Sequence, residues 1–194
     1  MDDLYIGINL PGSSNPDTIR GLLGRFEKDG FDYIEFTLDM LPLIIGGEIK
    51  RDYVDIIRSL LGEFSFKYSA HIGRGVDLRD TERFELQKKV LFSSIEISSI
   101  LGMNPLVLHY EEQSKNQSVE ERFLEVHIEA ADYAAGYGIT LCIENIEVER
   151  VDPVIEFVKM VSRPNFLMNF DTGHAFLASR YFHFDFLESL KRSL

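Results

Sequence analysis

Six short apolar runs recur along the chain, each followed by a stretch of helical character, and this alternation constrains the fold more than any other feature. The runs are LYIGINL (4–10), FDYIEFT (31–37), FSFKYSAH (64–71), PLVLHY (105–110), ITLCIEN (139–145) and NFLMNFD (165–171). They are rich in β-branched and aromatic residues, and several are apolar on both faces, as strands buried in a parallel sheet are. The intervening segments carry helix punctuation. Asn15-Pro16 and Asp152-Pro153 each set a capping side chain before a proline at the first helical position. Ser118-Val119-Glu120-Glu121 predicts a capping box. Val90, Ser94, Ile97 and Leu101 keep the helical period, with Gly102 as terminator. No low-complexity tract, linker or close repeat interrupts the pattern, so residues 1–194 are expected to form one domain.

Repeated β-then-α units with short connections imply a parallel sheet with right-handed crossovers. An α/β doubly wound sheet and a (β/α)8 TIM barrel both satisfy that. The first strand is followed by Pro11-Gly12-Ser13-Ser14, a turn and not a GxGxxG fingerprint. Polar residues gather at the carboxyl ends of successive strands: Glu35, His71, His109, Glu144 and Asp171. A barrel brings such ends to one mouth, whereas an open sheet would hold the second and sixth strands too far apart. The barrel is therefore the expected fold. Barrels of this kind run to about 250 residues, and six units fill this sequence. The expectation is a barrel truncated to about six β/α units, without strands seven and eight. Its first and sixth strands would be open edges, unless the chain is a fragment or a homo-oligomer covers them.

Composition narrows the function. A net charge of -12 disfavours polyanionic partners, so nucleic acid is less expected than a small molecule. The single cysteine, Cys142, excludes an internal disulfide and fits a reducing compartment. The N-terminus MDDLYIGINL lacks the basic and apolar regions of a signal peptide, and no apolar run approaches the roughly 20 residues that span a bilayer. A cytoplasmic protein without membrane partners is expected.

The stretch LMNFDTGHAF ends an apolar strand in Asp171 and His174, with Gly173 expected to let the chain turn between them. A lone histidine is most often a satisfied or surface imidazole, and His127 and His183, inside helical segments, fit that description. His71, His109 and His174 differ because they share their strand-end positions with Glu144 and Asp171. Nitrogen and oxygen donors so gathered describe a divalent-metal site. Glu144 could pair with Arg150, but a carboxylate ending an apolar central strand is costly to desolvate without a cation, which favours a ligand. Glu35 serves equally as loop anchor or site residue. Arg74, Lys115, Arg150 and Arg180 follow strand ends and could hold a substrate phosphate or carboxylate, although scattered surface charge explains any one of them. Glu111-Glu112 reads as a solvated loop, and Cys142 as a small apolar strand residue.

SAHIG, LVLHYEE, CIENIE and NFDTGHAF resemble strands three to six of the xylose isomerase-like barrel superfamily, which includes endonuclease IV (the AP endonuclease 2 family) and sugar isomerases, epimerases and dehydratases. The resemblance spans the whole chain as the first six units. It implies His71, His109, Glu144 and Asp171 as ligands of zinc or manganese, and Glu144 as the carboxylate that also moves protons. It makes His174 a substrate contact, or in the endonuclease branch a further zinc ligand, and leaves Glu35 and Arg74 as substrate-side candidates. Both branches take further ligands from strands seven and eight, before which this sequence ends.

The function expected first is a metal-dependent sugar or sugar-phosphate isomerase or epimerase, transferring a proton beside a polarised carbonyl. The alternatives are a zinc phosphodiesterase on abasic DNA and an inactive partial barrel that serves as a binding or assembly module. Three imidazoles favour the phosphodiesterase. Against it, the loop LDMLPLIIGGEIK is apolar and has no arginine or aromatic wedge for prising open a duplex.

Overall fold

A computed structural model describes residues 4–73 and 76–193. Six strands form one all-parallel sheet: β1 (Gly7–Asn9), β2 (Tyr33–Thr37), β3 (Lys67–Ile72), β4 (Met103–Tyr110), β5 (Leu141–Asn145) and β6 (Phe166–Asn169). Each is followed by a helix: α1 (Pro16–Asp29), α2 (Arg51–Leu61), α3 (Phe84–Leu101), α4 (Gln117–Gly136), α5 (Val151–Val161) and α6 (Thr172–Phe182), with α7 (Phe186–Ser193) after the last. A small antiparallel hairpin, Ile44–Ile45 with Glu48–Ile49, stands between β2 and α2.

The spatial order of the strands is their order in sequence. A doubly wound sheet reverses direction at a switch point; this one never does, which is the signature of a barrel wall. The fold is the α/β TIM-barrel architecture with six units present. β1 pairs only with β2, and β6 only with β5 among the described residues, so both ends of the wall are edges. The first apolar run forms a strand only at Gly7–Asn9, and Leu4, Tyr5 and Ile6 before it are exposed.

Strand alternation decides what faces the helices. Ile34, Phe36, Ala70, Leu106, Leu108, Ile143 and Phe166 are buried against α1 to α5, which contribute Ile19, Leu23, Ile57, Leu91, Ile95, Phe123 and Phe157. The opposite face carries Glu35, His71, His109 and Glu144. β4 stays in phase through an extra residue: Tyr68 pairs with Met103 but Ala70 with Leu106, so Asn104 and Pro105 absorb a bulge. Pro105 has no N–H to donate and is suited to the unpaired position. Without that offset His109 would point into the helix layer.

Three local expectations hold. Asn15 caps α1, its Oδ1 accepting from the Asp17 and Thr18 amides, Gly102 closes α3 at φ 68°, and the apolar stripe of α3 lies as drawn from the sequence. Two caps are corrected. Asn116, and not Ser118, caps α4 by accepting from the Ser118 amide. Glu120 reaches back beyond the cap to the Ser114 amide at 2.7 Å, because its other contacts are with Arg79. α5 begins at Val151, so Pro153 falls within its first turn and Asp152 instead pairs with Arg192.

Candidate metal and active site

Register gathers the polar strand ends. His71 stands opposite Val107, two residues short of His109; His109 pairs directly with Glu144, and Glu144 with Asn169. All lie on the face away from the helices. His71 Nε2 approaches His109 Nε2 at 3.0 Å, and Glu144 Oε1 lies 3.9 Å from both His109 Nε2 and His174 Nε2. Two triads result, His71–His109–Glu144 and Glu144–Asp171–His174, each with one ligand atom per residue inside a 4.8 Å spread. Glu144 belongs to both and is only 4% exposed.

Asn145 and Asn169 hold this geometry. The buried Asn145 side chain donates to the Asp171 carbonyl at 2.9 Å and accepts from the Asp171 amide at 3.0 Å, locking the end of β5 to the residues after β6. Asn169 Nδ2 donates to Glu144 Oε2. Asp171 also caps α6, its Oδ1 accepting the His174 amide at 2.6 Å. Gly173 does not make the sharp turn that the sequence suggested; it lies in the first turn of α6. A Cβ there would stand 3.3 Å from Asp171 Oδ1, so the glycine makes room for the cap.

Electrostatics mark the cluster. Burial pushes the Glu144 carboxyl above the ordinary range; His71 and Asn169 act the other way, and the charges of Asp171 and Glu35 add to the rise. Burial lowers His71, but the hydrogen bond and charge of Glu35, with Glu144 and Asp39, outweigh it and leave the imidazole raised. Crowded carboxylates facing imidazole nitrogens form a donor set that a divalent cation fits: His71, His109, Glu144 and Asp171 would hold it, and its charge would offset the buried carboxylates.

The structure therefore brings together His71, His109, Glu144, Asp171 and His174. Glu35, an even choice between anchor and site, hydrogen-bonds His71 Nδ1 at 3.1 Å and so orients a candidate ligand. Arg74 lies outside the described residues. Arg150 does not pair with Glu144; it reaches Asp152 at 3.8 Å and the Phe182 carbonyl. His127 is buried in α4 among Phe123, Phe157 and Phe166, and His183 caps the end of α6. Cys142 is buried and unpaired with another cysteine, its thiol pushed up to about 11 by burial.

Glu111 is more than a solvated loop, its Oε1 standing 3.9 Å from His109 Nδ1. Sequence inspection missed Asn145, Asn169 and Glu147, whose carboxylate lies 2.7 Å from His174 Nδ1. Only the adjacency of Asn145 to Glu144 hinted at any of them.

The chain belongs to the xylose isomerase-like TIM barrel family, whose sequence profile matches residues 24–192. Among solved structures it is similar to a D-allulose 3-epimerase from Methylomonas sp. bound to D-allulose, with a TM-score of 0.74, 21% identity, and coverage of 90% of this chain and 65% of that one. An L-ribulose 3-epimerase gives a TM-score of 0.75 at 15% identity, covering 97% and 66%. A xylose isomerase-like TIM barrel protein from Mycobacterium smegmatis in complex with magnesium gives 0.70 at 18% identity, covering 88% and 65%. The chain thus spans just under two thirds of the length of these three proteins. No curated protein sequence matches. No described helix is long and apolar enough to cross a membrane.

Proposed function

We propose that this chain is a divalent-metal-dependent sugar or sugar-phosphate isomerase or epimerase whose site centres on Glu144. The observation that carries this is the burial of Glu144 at the barrel mouth, shared by two triads of imidazole and carboxylate donors. His71, His109, Glu144 and Asp171 would hold the ion, zinc or manganese by donor type. A bound cation supplies Lewis-acid polarisation of a carbonyl and its neighbouring hydroxyl.

The residues supply the rest. Asn169 fixes Glu144 through Oε2, which leaves Oε1 towards the mouth to take a proton from the carbon beside the carbonyl. Without a metal, burial holds the Glu144 carboxyl above the ordinary carboxylate range. His174, at the N-terminus of α6, is placed to contact a substrate oxygen, and Glu35 keeps His71 in place. The likeness to epimerase structures, one of them holding D-allulose, supports a ketose substrate.

The test is wash-in of solvent deuterium at the carbon next to the carbonyl, followed by NMR over a panel of ketoses and ketose phosphates with added manganese or zinc. Exchange that needs both the metal and Glu144 is expected; no exchange on any sugar by metal-loaded protein defeats the proposal.

The double triad also favours a second reading, a zinc phosphodiesterase on abasic DNA, because three imidazoles exceed what one ion needs. The apolar hairpin after β2 packs on α3, with Ser93 Oγ donating to the Gly47 carbonyl at 2.8 Å, and adds no basic wedge at the mouth. Metal-dependent cleavage of an abasic duplex, without sugar exchange, would select this alternative.

A further inference from the structure

Arg79 is a buried cation in the loop between β3 and α3. Its side chain is 5% exposed, against 45% and 35% for the arginines of the pairs Arg20–Glu63 and Arg163–Asp132. Burying an ion pair carries a desolvation cost, and a residue kept at that cost is a candidate for fixing geometry. Its own segment is anchored on α3. The Arg79 amide donates to Asp77 Oδ1 at 2.9 Å, the Asp77 amide to Gln87 Oε1 at 2.8 Å, and Asp80 Oδ1 accepts from the Glu82 and Arg83 amides. From that base the guanidinium crosses to the segment after β4. Nη1 donates to the Glu111 carbonyl at 2.7 Å, Nε and Nη2 fork onto Glu120, and Glu120 Oε1 also accepts from the Ser114 amide at 2.7 Å. The same group lies 4.6 Å from the centre of the Tyr110 ring. Tyr110 and Glu111 are the two residues that follow His109.

We infer that Arg79 is a positioning residue for His109, acting through the chain that leaves β4. This rests on the metal-dependent reading of the site, in which His109 is a ligand. Successive strand residues face opposite sides of a sheet. Tyr110 is buried on the helix side, packed against Arg79 and the rings of Phe123 and Phe157. With Tyr110 pinned there and the next carbonyl tied to Arg79, the pleat turns the His109 imidazole to the opposite face. There its Nε2 lies 3.0 Å from His71 Nε2 and 3.9 Å from Glu144 Oε1. β4 ends at Tyr110, so Arg79 holds the chain where strand pairing stops. Glu111 Oε1, 3.9 Å from His109 Nδ1, is beyond hydrogen-bond reach, and the control therefore runs through the backbone and not through that carboxylate.

Truncating Arg79 alone leaves Glu120 without its partner, so the experiment removes both charges. Arg79→Met with Glu120→Gln keeps the volume and lets position 120 still accept the Ser114 amide. Arg79→Lys is a second variant, which keeps the charge but cannot fork onto Glu120 while reaching Glu111. Metal-free proteins are compared by urea denaturation and by NMR of the histidine rings, and zinc alone is titrated into each by calorimetry. Wild type should show a nuclear Overhauser contact between the His71 and His109 rings, whose centres are 4.9 Å apart. In the double variant the denaturation midpoint should stay near that of wild type while this contact weakens. The His109 ring resonances should move, those of His174 should not, and zinc should bind roughly 10-fold more weakly. Arg79→Lys should change in the same direction, and it decides by the same ring contact if the double variant folds poorly. An unchanged ring contact and zinc affinity in both variants overturns the inference. So does an equal displacement of the His174 resonances, which marks general loosening. Should wild type bind no zinc, the metal-dependent reading fails, while the ring contact still decides the role of Arg79.

Discussion

Asn145 and Asp171 bind each other through two hydrogen bonds, 2.9 Å from the side-chain amide to the backbone carbonyl and 3.0 Å in the opposite sense. The pair joins the ends of neighbouring strands at the depth where Glu144 and His174 meet. Asn145→Ala strands the Asp171 amide and carbonyl and should cost about 1–3 kcal/mol. Because the same clamp places a candidate ligand, zinc affinity should fall together with stability. Urea denaturation and calorimetric titration of one preparation check both, and a loss of stability with unchanged zinc binding would separate the clamp from the site.

Glu144 is buried beside like charges, an arrangement that stability alone does not favour. Glu144→Gln keeps the shape and the acceptor facing Asn169 but removes the charge. In metal-free protein the variant should be more stable than wild type by roughly 1 kcal/mol, and it should lose zinc binding and deuterium wash-in. Thermal melts with and without zinc test this: the metal should raise the melting temperature of wild type only.

His127 supplies a pH dependence unrelated to the site. Burial pulls its imidazole down to about 4, against a weaker opposing hydrogen bond at 2.7 Å from Nδ1 to the Phe123 carbonyl, with the charge of Arg79 adding to the fall. The folded value lies below the unfolded value of about 6.5, so the unfolded chain binds the extra proton. The contribution of neutral His127 is therefore complete above about pH 6.5 and is lost as pH falls towards 4, about 3 kcal/mol in total. His127→Leu should flatten the stability profile across that window in stepwise urea titrations, and equal slopes for the two proteins would contradict it.

Arg79 carries a structural load that its sequence context does not announce. It forks onto Glu120 at 2.6 and 2.8 Å, donates to the Glu111 carbonyl at 2.7 Å, and lies over the rings of Tyr110 and Phe123. Arg79→Ala should destabilise by roughly 3 kcal/mol, since it leaves Glu120 half-buried without its partner. Denaturant midpoints check the magnitude. A change below about 0.5 kcal/mol would show the pair to behave as an ordinary surface bridge.

The edges of the wall predict self-association. Ile6 beside β1 and Leu167 on β6 are exposed next to strands paired on one side only among the described residues. Unpaired strand edges are templates for further pairing, and a homo-oligomer is expected at high concentration. Light scattering after size exclusion should show a mass that Ile6→Lys with Leu167→Lys reduces towards the monomer. A monomer at all concentrations would refute this.

The sequence by itself determined the order of elements, because apolar runs of strand length alternate with capped amphipathic segments, and those signals are local. It also marked candidate residues for the mouth. Charged residues at the tips of buried strands violate the pattern around them, and so His71, His109, Glu144 and Asp171 stood out. The tertiary structure alone decided how they meet. Whether His109 faces His71 depends on a bulge at Asn104-Pro105, and whether Asn145, Asn169, Glu111 and Glu147 matter depends on which atoms lie beside them across strands and loops. Polar residues in loops leave no periodic trace, and a hydrogen bond between segments distant along the chain has no signal until the backbone has closed around it.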